Sequence, residues 1–256
     1  MGTVIAVASG KGGTGKTTFC ANIAVSLCAL GEKVLLIDAD SGMRSLDLVL
    51  GMTDSLLFSY GDVIRGNAGL KEAAVAHPVA KNLRVLTAPG EPGIGEVYAP
   101  EAIAALLTRV RAHFTYTLVD CAAGLGSDVL SFAAAADRAV IVSTSDYTAL
   151  RGAQSTANIF GRIGQENCSI VANRLRPGMI REGSAANIDR AMDASGLSLL
   201  GVGPEDQGAI ASGNRGTILA LDHFGPAAQA YLNIAKRLTG QRIRLLDQVP
   251  GKEWKK

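Results

Sequence analysis

The sequence predicts an α/β fold, a single domain built on a mostly parallel sheet with helices on both faces. Three observations carry this. Short continuous apolar runs recur along the chain, helical stretches lie between most of them, and a glycine-rich loop follows the first run and opens a helix. Unbroken apolar runs mark strands buried on both faces. Strands that alternate with helices wind into right-handed crossovers, which leaves the strands parallel. A chain of 256 residues with 48% hydrophobic and 5% aromatic content can bury a large aliphatic core, and its 30 glycines suggest many tight turns. The economical division is one domain over residues 1–240 followed by a tail at 241–256.

The first apolar run, Val4-Ile5-Ala6-Val7-Ala8, is followed by Gly10-Lys11-Gly12-Gly13-Thr14-Gly15-Lys16-Thr17-Thr18. The spacing of Gly10, Gly15, Lys16 and Thr17 fits the P-loop pattern, in the strand-to-helix setting the pattern requires. Glycines let successive backbone N–H groups converge into an anion nest, and the following helix adds the positive end of its dipole. Lys16 then reaches between β- and γ-phosphates, and the Thr17 hydroxyl ligates a Mg²⁺ that bridges them, so ATP and Mg²⁺ are the expected ligands.

The helix after the loop is marked by Cys20, Ile23, Ala24 and Leu27 at helical spacing and closes at Gly31. Further strands are expected at residues 34–37, 83–86, 117–119, 139–142, 169–172 and 199–202, with helices at 101–114, 149–163 and 185–194 among those between them. In such a sheet, ligand residues gather at the carboxyl ends of strands. Asp38 and Asp40 follow the 34–37 run and Asp120 follows Leu118-Val119, both on the phosphate side. An aspartate closing an apolar strand holds a Mg²⁺-bound water in P-loop proteins, which makes Asp120 the Walker-B candidate.

Other features exclude more than they assign. Net charge is +2 with dispersed lysines and arginines, so composition gives DNA binding no support. Cys20, Cys28, Cys121 and Cys168 lack C-x-x-C spacing and read as small core residues of a reduced cytosolic protein. His77, His113 and His223 fall in no ligand pattern. No charged leader precedes the first strand and no apolar run is long enough to span a bilayer, so the expected location is the cytoplasm unless something recruits the chain to a surface.

Lys11-Gly12-Gly13-Thr14-Gly15-Lys16-Thr17 resembles the deviant P-loop of the MinD/ParA class of ATPases. The resemblance implies that Lys11 reaches across a two-fold axis to a partner's phosphates, so that ATP clamps two copies into a homodimer. Asp38-Ala39-Asp40, followed by Gly42, Arg44, Leu46 and Asp47, resembles the first switch of MinD-type proteins. There the second acid, here Asp40, positions the attacking water, and the first, here Asp38, supports the metal shell. Asp120-Cys121-Ala122-Ala123-Gly124 stands where the second switch, Asp-x-Pro-Ala-Gly, is usual, with Ala122 in place of the proline. By the same likeness, Asn173 and the backbone around Pro204, Glu205 and Asp206 hold the adenine. The amide of Asn173 offers a base edge both a donor and an acceptor.

The resemblance runs from about residue 3 to about residue 238 and implies a dimerising switch ATPase used for spatial positioning, of the kind that selects a division site, with an activating or effector protein as partner. A ParA-like ATPase moving DNA or another cargo is the alternative in the same fold. A tyrosine kinase would carry tyrosines in its tail, but none follows Tyr231, and an iron–sulfur carrier needs a cysteine pair that the spacing does not supply. In the tail, Gln241-Arg242-Ile243-Arg244-Leu245-Leu246-Asp247 mixes basic and apolar residues, but Pro250 and Gly251 break it. It is a weak anchor for peripheral attachment at the inner face of the cell membrane.

Overall fold

A computed structural model describes residues 1–90, 99–222 and 225–245. Eight strands, β1 (Thr3–Ala8), β2 (Val34–Ala39), β3 (Val75–Ala76), β4 (Leu83–Leu86), β5 (Tyr116–Cys121), β6 (Arg138–Ser143), β7 (Cys168–Leu175) and β8 (Ser198–Pro204), form one sheet in the order β3-β4-β2-β5-β1-β6-β7-β8. Every neighbouring pair is parallel except β3 with β4. The chain winds outward from β1 through β2 to β4, returns to insert β5 between β2 and β1, then winds outward on the other side. The carboxyl end of β1 is therefore a topological switch point, where open α/β sheets bind ligands.

The helices are α1 (Lys16–Ala29), α2 (Leu46–Leu50), α3 (Tyr60–Arg65), α4 (Leu70–Ala73), α5 (Pro100–Arg111), α6 (Ser127–Ala135), α7 (Tyr147–Arg162), α8 (Pro177–Arg181), α9 (Ile188–Ser195), α10 (Gln207–Asn214), α11 (Leu219–Asp222) and α12 (Pro226–Leu238). They cover both sheet faces. One layer packs Ile103, Leu107, Phe132 and Phe160 against Val4, Leu35, Ile37 and Ile141. The other packs Phe19, Ile23, Leu27, Tyr231 and Ile234 against Ile5, Val7, Leu36 and Val142. Adjacent strand residues alternate between the two layers, as a pleated strand buried on both faces requires.

Helix α1 is buried nearly all round because α12 closes over its outer side. The sequence reading did not mark α12. Its signals are Pro226 at the first helical position and Ala227, Tyr231, Ile234 and Leu238 on one face. Burying its tyrosine, isoleucine and leucine contributes about 1.5–3 kcal/mol each, and the helix lies so close to β8 that a Cβ on Gly201 would stand 2.3 Å from Ile234. The expected strands are all present and most extend further: Asp38 and Asp120 lie inside β2 and β5 rather than just beyond them, and Asn173 lies inside β7. Strand β3 was not anticipated, being only two residues at the sheet edge, at the end of a short run whose start belongs to α4.

Residues 241–245 return along the body, where Arg237 donates to the Ile243 carbonyl at 3.0 Å and Leu245 packs on the core. The rest of the tail and His223 lie outside the described residues. Among the described residues no helix is long and apolar enough to cross a membrane.

Candidate functional site

Strand β1 ends at Ala8 and α1 begins at Lys16, so the glycine loop spans the switch point. Gly13 and Gly15 turn it with φ of 80° and 85°, values that favour glycine. At Gly10 the reason is space, since a Cβ there would lie 2.3 Å from the backbone of Gly152 on α7. Gly12 and Gly13 have no atom within 4 Å of where a Cβ would stand, so the loop presents open backbone. Gly15 caps α1 without a side-chain acceptor, which leaves the first helical N–H groups free for an anion.

Beneath the loop, Lys16 Nζ donates to Asp120 Oδ1 at 2.7 Å, both side chains nearly buried at 8% and 2% exposure. Parallel pairing places Asp120 level with Val7 on one side and Asp38 on the other. Two carboxylates on adjacent strands therefore face the loop. Burial, and then the neighbouring Asp120 carboxylate, push the Asp38 carboxyl up to about 7 against backbone N–H bonds from Asp40 and Leu46. Those bonds, 2.9 and 3.3 Å long, tie Asp38 to the loop that follows β2 and to the start of α2. Burial acts most strongly on Lys16 and lowers its pKa, but the Asp120 carboxylate together with the nearby Cys20 and Cys121 sulfurs outweighs it, and the ammonium is held above the ordinary lysine range. Asp40 is half-buried and accepts from Met43 N at 3.0 Å, which folds its carboxylate into its own loop. In the loop after β5, Gly124, at φ 94°, donates its N–H to Ser9 O at 3.2 Å, which holds that loop against the start of the glycine loop.

On the far side of the loop, Gly15, Thr18, Asn173, Pro204, Glu205 and Asp206 line a cavity of about 130 Å³ with Tyr231. Asn173 is wedged between two glycines: a Cβ on Gly15 would come within 2.8 Å of its Nδ2 and one on Gly203 within 2.3 Å of its Oδ1. Its Nδ2 donates to Thr14 O at 2.9 Å. Its Oδ1 is buried without a hydrogen-bond partner, as is Thr14 Oγ1. Buried polar atoms are seldom left unpaired, so both suit a ligand that supplies a donor. Asp206 instead caps α10, accepting from Gly208 N at 2.8 Å.

Lys11 is exposed on the outer side of the loop, 3.6 Å from Asp146 Oδ1 and 3.3 Å from Thr148 Oγ1. Asp146 caps α7 by accepting from Ala149 N, and its hydroxyl partners Thr144 and Thr148, with Lys11, hold its carboxyl well below the usual range despite partial burial. The sequence reading missed Asp146. An aspartate just before a helical run is an N-cap signal that would have found its backbone role, though not its pairing with Lys11.

Thr17, Asp38 and Asp120 offer oxygen donors, the chemistry Mg²⁺ prefers, and Mg²⁺ commonly takes one or two carboxylates with phosphate oxygens and waters completing the shell. No group of three or more acidic, histidine or cysteine side chains among the described residues forms a closed metal cage. The residues therefore fit an ion shared with a nucleotide. All four cysteines are free, and burial pushes the Cys121 thiol up to about 12, in keeping with a core role.

A family profile described as an AAA domain matches residues 2–172. The septum site-determining protein MinD of Thermotoga maritima is 33% identical over 247 residues, a match that covers 96% of this chain and 91% of that one. Among solved structures, the MinC:MinD cell division protein complex of Aquifex aeolicus superposes with a TM-score of 0.88 at 31% identity, covering 95% of this chain and 98% of that one. MinD of Pyrococcus horikoshii complexed with Mg-ADP superposes with a TM-score of 0.80 at 28% identity, covering 93% and 96%. Since the likeness spans nearly the whole chain, the glycine loop and both carboxylate-bearing strands included, the chain belongs to the MinD family of septum site-determining proteins.

Proposed function

We propose that this chain is an ATP-dependent dimerising switch that hydrolyses ATP to ADP and phosphate and uses the cycle for spatial positioning in division-site selection. The observation that carries the reading is the pair of lysines on one glycine loop, Lys16 buried against Asp120 and Lys11 exposed on the opposite side. Lys16 serves the phosphates bound in its own loop. Lys11, held by a solvent-exposed pair with Asp146 worth about 0.2–1 kcal/mol and an exposed hydrogen bond to Thr148, is free to turn to the phosphates of a second copy.

When bound, Mg²⁺ would supply positive charge to the β- and γ-phosphates, held by Thr17, Asp38 and Asp120. The loop amides and Lys16 orient the triphosphate, and Asn173, Pro204 and Glu205 shape the base side. Asp40 accepts a hydrogen bond from the water and aims its oxygen at the γ-phosphorus. As that P–O bond forms, the bond to the β–γ bridging oxygen breaks and ADP leaves. Positioning and electrostatics do most of the catalysis in such transfers.

The Aquifex complex supports a MinC-like effector as partner. Light scattering with a slowly hydrolysed ATP analogue and with ADP tests the reading. A dimer in the analogue only, lost in Lys11→Ala, is the expected result, and a nucleotide-independent dimer overturns it. Sedimentation with anionic liposomes and, separately, with DNA then identifies the surface; nucleotide-dependent pelleting with DNA alone would favour the ParA-like alternative.

A further inference from the structure

Strand β7 loses its regularity where it passes the glycine loop. Its register with β8 shifts between Ala172 and Leu175, and Arg174 lies at φ 55°, a left-handed conformation that costs a side-chain-bearing residue free energy. In a regular strand, neighbouring side chains point to opposite faces, so Asn173 and Arg174 would not both reach one loop. Here both do. Asn173 Nδ2 donates to the Thr14 carbonyl at 2.9 Å and Arg174 Nη1 to the Gly13 carbonyl at 3.0 Å.

Each peptide plane carries its C=O and the next residue's N–H in opposite directions. Drawing the Gly13 and Thr14 carbonyls toward β7 therefore turns the N–H groups of Thr14 and Gly15 the other way, into the nest. The second arm of the same guanidinium donates to Glu205 Oε1 at 3.0 Å, and Arg176 grips that carboxylate from the other side. The Arg174 fork is thus held at both ends. It also forms part of the wall of two cavities, the base-side one and another of about 260 Å³ on the Lys11 side of the loop.

We propose that Arg174 is a positioning residue for phosphate binding: the bulge in β7 brings its guanidinium to the Gly13 carbonyl so that the loop amides are set for an anion in advance. The inference rests on the reading of the loop as a nucleotide site. Preset donors lower the ordering cost of binding, so losing the clamp weakens phosphate affinity without touching Lys16 or Asp40.

The test uses Arg174→Gly, which suits φ 55° and so separates structure from positioning, with Arg174→Lys as the conservative variant. Glycine relieves the backbone strain, and against this stand the loss of the partly exposed contacts to Gly13 and Glu205 and a more flexible unfolded chain, effects of opposite sign. Melting without nucleotide should therefore stay within about 2 °C of wild type for a chain of this size. Mg-ADP affinity by calorimetry should fall about tenfold, the scale of one lost charge-assisted hydrogen bond. The KM for ATP should rise in step while kcat changes less than about threefold, the mark of lost ground-state binding. Lysine, which reaches one acceptor but not two, should recover only part of the affinity. Arg174→Gly with wild-type Mg-ADP affinity, or with an affinity loss matched by a fall in melting temperature, overturns the inference alone. A wild type that binds no Mg-ADP overturns the ATPase reading and takes this inference with it.

Discussion

Lys16→Met should destabilise the protein even with no nucleotide present. The ammonium and the Asp120 carboxylate form a 2.7 Å pair that is almost fully buried. Methionine keeps most of the side-chain volume, so the substitution removes charge rather than opening a cavity. Breaking one side of a buried ion pair leaves an uncompensated charge, at a cost of about 3–5 kcal/mol. For a chain of this length each kcal/mol moves the melting temperature by about 2–4 °C, so the expected fall is roughly 6–20 °C. Thermal unfolding followed by circular dichroism in nucleotide-free buffer with a chelator measures it. The double variant Lys16→Met/Asp120→Asn, with no charge left to strand, should recover at least half of the loss, a non-additivity that only a direct interaction gives. Melting within about 2 °C of wild type in the single variant, or strict additivity in the double, would refute the reasoning, because Asp120 would then be solvated well enough not to need Lys16.

Asp40→Ala should still bind Mg-ATP and dimerise but stall, with phosphate release down about 10²-fold; gel filtration in ATP beside a phosphate assay checks this, and a variant that cannot dimerise counts against Asp40 as the water-orienting group. Asp146→Asn keeps the α7 cap but removes the charge that faces Lys11. With two such exposed pairs per dimer at about 0.2–1 kcal/mol each, ATP-dependent dimerisation should tighten by up to about thirtyfold in analytical ultracentrifugation, and weaker dimerisation would mean that Asp146 itself contributes across the interface. The folded state holds the Asp38 proton up to pH about 7, whereas the unfolded chain releases it near 3.8. Stability without Mg²⁺ should therefore fall as pH rises through that window, by at most about 4 kcal/mol from this group. Urea unfolding at pH 5 and 8 should show this slope reduced in Asp38→Asn, and an unchanged slope would assign it to other groups.

The glycine loop and its acids were legible because backbone and strand-end chemistry constrain residue type at fixed spacing: only glycine suits φ 80° at Gly13, and Asp38 and Asp120 each close an apolar run. What lay hidden depends on contacts distant in sequence. The Lys11–Asp146 pair spans 135 positions and Lys16–Asp120 spans 104, and no local pattern encodes either. Arg174 was missed for a different reason, since its role comes from a register break that apolar periodicity does not reveal. Helix α12 went unmarked although its one-sided apolar spacing and Pro226 carry a local signal, and its place over α1 follows only from the sheet order.

Both lysines proposed to receive phosphate are held by a carboxylate of the same chain, and this couples metal binding to nucleotide binding. While Lys16 neutralises Asp120, and Asp38 beside it is pushed toward its protonated form, the paired strands present little net negative charge to a cation. A triphosphate that draws Lys16 away uncovers Asp120 next to Asp38, and the repulsion between two carboxylates on neighbouring strands then favours a divalent ion. Mn²⁺, as a spectroscopic stand-in for Mg²⁺, should therefore bind tightly only with nucleotide present. Lys16→Met should gain Mn²⁺ affinity in the absence of nucleotide, because Asp120 then lacks the ammonium that occupies it. Electron paramagnetic resonance titration of free Mn²⁺ reads both effects. Equal Mn²⁺ affinity with and without nucleotide in the wild type would show that the carboxylates are already available, and that Lys16 does not govern them.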